Sequence, residues 1–191
     1  MSPSMRLIAI RVAASSVLSC VAVVAAAVGP LPVPPVKPGL WETRISALDA
    51  NGREMAPPEL AALSRLSPQA RDAMKARGVS MPDANGAIKS CLTKEMFESG
   101  RWQQLASEAG CTSNYSTLSG STWKWHSSCT ALNSESDGET VFTSGESYRT
   151  RVTTTMPVQG KMNTSTRIVQ GKWLGADCGG IKPLVPPDVR R

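Results

Sequence analysis

The sequence has a single histidine, His126, and only two tyrosines and two phenylalanines in 191 residues. It has no G-x-S-x-G turn, and its short "SGES" and "GCTS" stretches lack the length and lysine of a phosphate-binding loop. A Ser–His–Asp arrangement would have to use His126, which reads as a polar side chain on the wet face of a strand. No two cysteines stand at C-x-x-C spacing, which zinc sites and thiol–disulfide exchange favour. The alternating Glu135, Asp137 and Glu139 lack the frame of a calcium loop and read as an acidic turn beside Gly138. No basic run exceeds Arg190-Arg191, so nucleic acid is not expected as a partner. These absences lead us to expect no catalytic residue, no metal and no cofactor.

What the chain does contain speaks first to its compartment. Arg6 precedes an apolar run from Val12 to Val28, and Ala25-Ala26-Ala27 supplies an A-x-A cleavage pattern. Residues 1–27 therefore read as a signal peptide. Two other readings compete: a retained anchor, for which the run is at the short limit, and lipidation at Cys20, where the bulky Leu18 fits poorly. Cleavage removes Arg6 and Arg11 from 21 basic residues, leaving 19 against 15 acidic ones, a mild +4, and no stable membrane span. It also leaves four cysteines, an even number that reads as two disulfides after export.

Residues 28–37 belong to a proline-rich stretch and read as a semi-rigid spacer. A single domain then spans 38–182, with a loose tail at 183–191. Its first strand alternates Trp41, Thr43, Ile45 and Ala47 with Glu42, Arg44 and Ser46. A short two-helix insertion follows at residues 57–78. Ser67 is placed as an N-cap, Pro68 at the first helical position and Gly78 at the C-terminal cap. A brief third helix is expected over Thr93–Glu98 or Trp102–Glu108. From Cys111 the period changes to two, with many Thr and Ser residues, which indicates strands. The expected fold is mainly β: an antiparallel curved sheet or partial barrel.

Two hairpins can be drawn in register. Folding "CTSNYSTLSGSTWKWHSSC" about a three-residue loop, Ser119–Ser121, opposes Cys111 with Cys129, Ser113 with Ser127, Tyr115 with Trp125, and Thr117 with Trp123. This keeps every large aromatic on one face, so the pattern specifies the register. It also brings Cys111 within disulfide reach of Cys129, which leaves Cys91 to pair with Cys178. The second hairpin, Tyr148–Val169, aligns its Thr-rich faces with a five-residue loop, "PVQGK". That register opposes Arg151 with Arg167, with Arg149 nearby. The basic face so formed is a candidate anion or acidic-partner site.

The opening "KPGLWE" at Lys37–Glu42, the "LSPQARDAM" and "CLTKEM" stretches, the four spaced cysteines and the ending "GKWLGADC" at Gly171–Cys178 together resemble a bacterial family. It is known as domain of unknown function thirty-six seventeen. The resemblance implies an exported, periplasmic or secreted protein of the Gram-negative envelope with a mainly antiparallel β fold. It carries no activity and transfers no catalytic residue. Two function classes remain: non-catalytic binding of a small apolar molecule or an envelope protein, and a periplasmic hydrolase using carboxylates. The helices at 57–78 are the expected cover for an apolar opening.

Overall fold

A computed structural model of the chain describes residues 33–63, 65–100 and 110–184. The signal-peptide reading of residues 1–27, the start of the spacer at 28–32 and the alternative helix at 102–108 lie outside these residues.

Eight antiparallel strands form one sheet. Strand β1 (Gly39–Leu48) pairs along one side with β8 (Lys161–Gly175). Its other side pairs first with β3 (Ala87–Leu92) and then with the two-residue β2 (Glu54–Met55). From β8 the order runs through β7 (Ser147–Val158), β6 (Ser134–Ser144), β5 (Thr122–Cys129) and β4 (Cys111–Leu118). The sheet is open: among the described residues no ladder joins β4 to the β2/β3 margin. Helices α1 (Pro58–Leu63) and α2 (Pro68–Ala76) lie between β2 and β3, and α3 (Lys94–Glu98) follows β3.

Local chemistry accounts for the helical insertion. Ser67 Oγ accepts from the Ala70 amide at 3.2 Å, and Pro68 follows where no donor is needed. At the other end Gly78 takes φ +78°, and the Val79 amide donates to the Met74 carbonyl at 3.1 Å. Gly78 has a second reason to be glycine. A Cβ there would lie 2.4 Å from the Lys182 carbonyl oxygen, so the C-terminal segment packs directly on this turn. Of the expected loose tail at 183–191, residues 183 and 184 are held in place, and 185–191 lie outside the described residues. Pro183 bridges to Cys91, and the Leu184 amide donates to the Cys91 carbonyl at 2.9 Å. The Cys91–Cys178 disulfide brings it there. Docking of this segment leaves Cys91 only 3% exposed, on the same strand face as Lys89.

Trp41 marks the inner face of the sheet. It is 1% exposed, and its Nε1 donates to the Lys37 carbonyl at 2.9 Å. Following the ladders from β1, the same face carries Gly171, Tyr148, Thr150, Phe142, Thr140, Trp123 and Trp125. Two cross-strand partners of large rings on this face are glycines. A Cβ at Gly171 would lie 2.1 Å from the Tyr148 ring, and one at Gly138 would lie 2.2 Å from Trp125. Each ring rests on the bare backbone of the neighbouring strand. Gly138 is therefore a mid-strand seat in β6 and not part of an acidic turn.

Both hairpins differ from their expected registers by one residue in part or all of their length. In β4–β5, Cys111–Cys129, Ser113–Ser127 and Tyr115–Trp125 stand opposed, and Cys111 is bonded to Cys129. Beyond Tyr115 a bulge sets Leu118, and not Thr117, opposite Trp123. The turn is tighter than a three-residue loop: the Ser119 amide donates to the Thr122 carbonyl at 2.9 Å, and Ser119 Oγ accepts from the Thr122 amide at 3.0 Å. The residue saved at the turn is absorbed as the bulge.

In β7–β8 the expected five-residue loop is a two-residue turn. Val158 pairs with Lys161 across Gln159 (φ 50°) and Gly160 (φ 76°). Two positive φ values match the right-handed strand twist. Pro157 is tolerated within the strand because β6 stops pairing at Thr155, so its missing amide faces no neighbour. The shift moves Arg167 across the sheet: it now opposes Val152, and Arg151 opposes Ile168.

Candidate functional site

The inner face carries a row of aromatic rings drawn from five strands. Trp41 meets Tyr148 with centroids 5.5 Å apart, Tyr148 meets Phe142 at 6.3 Å, Phe142 meets Trp123 at 5.2 Å, and Trp123 meets Tyr115 at 5.9 Å. The last two contacts are edge-on, at 74° and 88°, the arrangement that ring quadrupoles favour. Burial pushes the Tyr148 hydroxyl above its ordinary range, partly offset by a hydrogen bond with Thr43. Burial also raises Tyr115.

This row forms one side of an open cavity of about 280 Å³. Tyr115, Trp123, Trp125, Phe142 and Tyr148 line it from the sheet, together with Thr140 and Thr150. Leu92 at the end of β3 and Met96 and Phe97 of α3 line it from above, and Pro34 and Val36 close part of its rim. The two threonine hydroxyls bond each other at 2.9 Å. No described residue that lines the cavity carries a charge.

Three elements place the covering residues. Thr93 caps α3 by accepting from the Met96 amide at 3.2 Å, which turns the buried Met96 and Phe97 toward the sheet. Pro34 and Val36 are held by the next residue. The Lys37 amide donates to the Gly145 carbonyl at 2.8 Å, and its ammonium pairs with Glu146 at 2.6 Å and sits 5.1 Å from the centre of the Trp173 ring. The later part of the proline-rich spacer is thus strapped to the β6–β7 turn. No described residue of the expected cover, the insertion at 57–78, lines the cavity; α3 does. Met96 and Phe97 escape sequence reading because a five-residue helix is too short to show amphipathic periodicity. The adjacent apolar pair behind a capping threonine is the signal that would have found them.

The candidate basic face does not assemble. Arg149 donates to Glu54 at 2.6 Å. Donation by Ser46, reinforced by Arg149, holds the Glu54 carboxyl below its usual range. Arg151 shares the outer face with Arg149 but stands across from Glu139 and Ile168. Arg167 points to the opposite face, between Ala47 and Val152.

Elsewhere on the outer face, a groove of about 640 Å³ runs over β1, β8 and β7. Its two carboxylates are ion-paired, Glu42 with Arg44 at 3.1 Å and Glu146 with Lys37. His126 lies between two others: Nε2 is 2.8 Å from Glu135 and Nδ1 is 2.9 Å from Asp137. Ser128 donates to Glu135 at 2.8 Å and not to the imidazole, so the group is no nucleophilic triad. Among the described residues no cluster of three or more histidine, cysteine or acidic side chains is arranged to hold a metal ion.

No helix among the described residues is long and apolar enough to cross a membrane. The two disulfides fit an oxidising compartment. No curated protein and no solved structure matches the chain. One family model does match, over residues 36–178, from the rim of the cavity to the last cysteine: the chain belongs to the family described as protein of unknown function DUF3617.

Proposed function

We propose that this protein binds a small, uncharged apolar molecule in the cavity beneath α3, without catalysis, in the periplasm or outside the cell. The observation that carries this reading is the character of the cavity. Aromatic and aliphatic side chains dominate its described lining, its two threonine hydroxyls bond each other, and charge is absent from its described walls. Ligand sites are typically concave and largely apolar. At about 30 Å³ per water in the liquid, 280 Å³ corresponds to about nine waters, so the buried part of the ligand is small. A short acyl segment or one fused ring system fits that limit. The ion pairing of Glu42 and Glu146 in the outer groove favours binding over carboxylate hydrolysis.

Native mass spectrometry of the protein recovered from the cell envelope tests this. A retained small molecule is expected, and stripping it should let an environment-sensitive naphthylamine dye bind saturably. The dye should also quench tryptophan emission, because Trp123 and Trp125 line the cavity. Protein that carries nothing and takes up no dye after delipidation would overturn the reading.

A further inference from the structure

The longest hairpin of the sheet ends outside it. The β6 ladder reaches only to Thr155 of β7, and the β1 ladder only to Arg167 of β8. Residues 156–163 therefore stand clear of both neighbouring strands as a two-stranded ribbon. The stem below is polar, with hydroxyl pairs Thr153–Thr166 at 3.0 Å and Thr155–Thr164 at 2.9 Å. The tip is not. Val158 is 47% exposed and Met162 62% exposed, among the most exposed large apolar residues described. By strand alternation Met156 and Val158 lie on one face of the ribbon, and Pro157 and Met162 on the other. The Pro157/Met162 face is wholly apolar, while on the other face Lys161 stands opposite Val158 and Asn163 opposite Met156.

We propose that this tip inserts into the interfacial layer of a lipid bilayer that carries anionic headgroups. A groove on a protein covers one face of a ribbon, whereas a bilayer surrounds both, and each face here presents an exposed apolar side chain, Met162 on one and Val158 on the other. The single charge at the tip, Lys161, is of the type whose stem lies in the apolar layer while its ammonium reaches back to phosphate. The net positive chain complements an anionic surface. Depth is limited by the backbone. Two residues per strand at about 3.3 Å each give about 7 Å of insertion, inside the roughly 5–10 Å interfacial layer. Going deeper would carry unpaired strand edges into hydrocarbon, which lacks water to satisfy them.

The test uses the exported protein with vesicles of phosphatidylethanolamine and phosphatidylglycerol. The double variant Val158→Asp/Met162→Asp, at exposed positions, should keep the parent's melting temperature while its vesicle-bound fraction falls about tenfold or more, since charged side chains are disfavoured in lipid. The indole introduced by Met162→Trp should shift its emission to the blue on vesicles and be quenched by lipids brominated in the acyl chain. Equal binding by the double variant, or an indole at this position that stays quenched by aqueous iodide, would overturn the proposal. So would tip-dependent cross-linking to an envelope protein without vesicle binding.

Discussion

The indole of Trp125 covers Gly138, its partner across the β5–β6 ladder, so closely that a methyl group at 138 would lie 2.2 Å from the ring. Trp125 also lines the cavity, so this one contact links core packing to the proposed binding site. Gly138→Ala should displace the ring and cost about 1–3 kcal/mol, the usual range for overpacking. Dye uptake by the cavity should fall with it. Gly171→Ala, which pushes on Tyr148, should act in the same direction. Gly120→Ala meets nothing within 4 Å and serves as the near-neutral control. Urea titrations followed by tryptophan emission measure all three, and a Gly138→Ala midpoint equal to the parent's would show that the ring is not seated on the strand.

Among the described residues Trp41 is the largest fully buried side chain, and it belongs to the stretch where the spacer becomes the sheet. Trp41→Ala should lower stability by about 3–5 kcal/mol, as for other large aromatic deletions in cores. Trp41→Phe keeps most of the contact with Tyr148 but loses the hydrogen bond to the Lys37 carbonyl. Because Lys37 holds the strap that carries Val36, Trp41→Phe should loosen dye binding more than it lowers the melting temperature. Calorimetry and dye titration on the same samples separate the two effects.

The disulfides close loops of different size, with bonded cysteines 87 and 18 positions apart. Loop entropy gives the Cys91–Cys178 bridge about 4–5 kcal/mol and the Cys111–Cys129 bridge about 3 kcal/mol. Cys91→Ala/Cys178→Ala should therefore lower the melting temperature more than Cys111→Ala/Cys129→Ala. It should also release the segment around Leu184 from β3, visible as faster hydrogen exchange at the Leu184 amide. The opposite order of melting temperatures would mean that hairpin packing, and not chain closure, dominates.

How far these features were legible in the sequence depends on whether one strand or several determine them. The Cys111–Trp125 half of the first hairpin was readable because a slip would have turned its aromatics into water. The second hairpin has threonines on both faces, so alternation alone does not distinguish the two-residue turn from a longer loop and assigns Arg167 to the face opposite the one it occupies. The strand seat of Gly138 was hidden for a different reason. Glycine beside acidic residues suggests a turn, and only the ring of a neighbouring strand explains it. The cavity required three segments distant in sequence, around Val36, Phe97 and Trp123, and no local pattern connects them.

His126 offers a test of the outer face that is independent of the cavity. Both ring nitrogens meet carboxylates, an arrangement that only the doubly protonated imidazolium satisfies with two donors. Its pKa is raised above 6.5, chiefly by the hydrogen bond to Asp137, with Glu135 adding to it. A group whose pKa is raised on folding stabilises the fold fully below its unfolded value and loses that contribution as pH rises through its folded value. The stability advantage of the parent over His126→Gln should thus be largest in mildly acidic solution, below 6.5, and shrink toward alkaline pH. The site is exposed, so added salt should reduce the advantage. The histidine's NMR titration should have a midpoint above 6.5, and Asp137→Asn should lower that midpoint more than Glu135→Gln does. A midpoint below 6.5, or an advantage that grows with pH, would show that the imidazole is held neutral and that the two carboxylates do not clamp it.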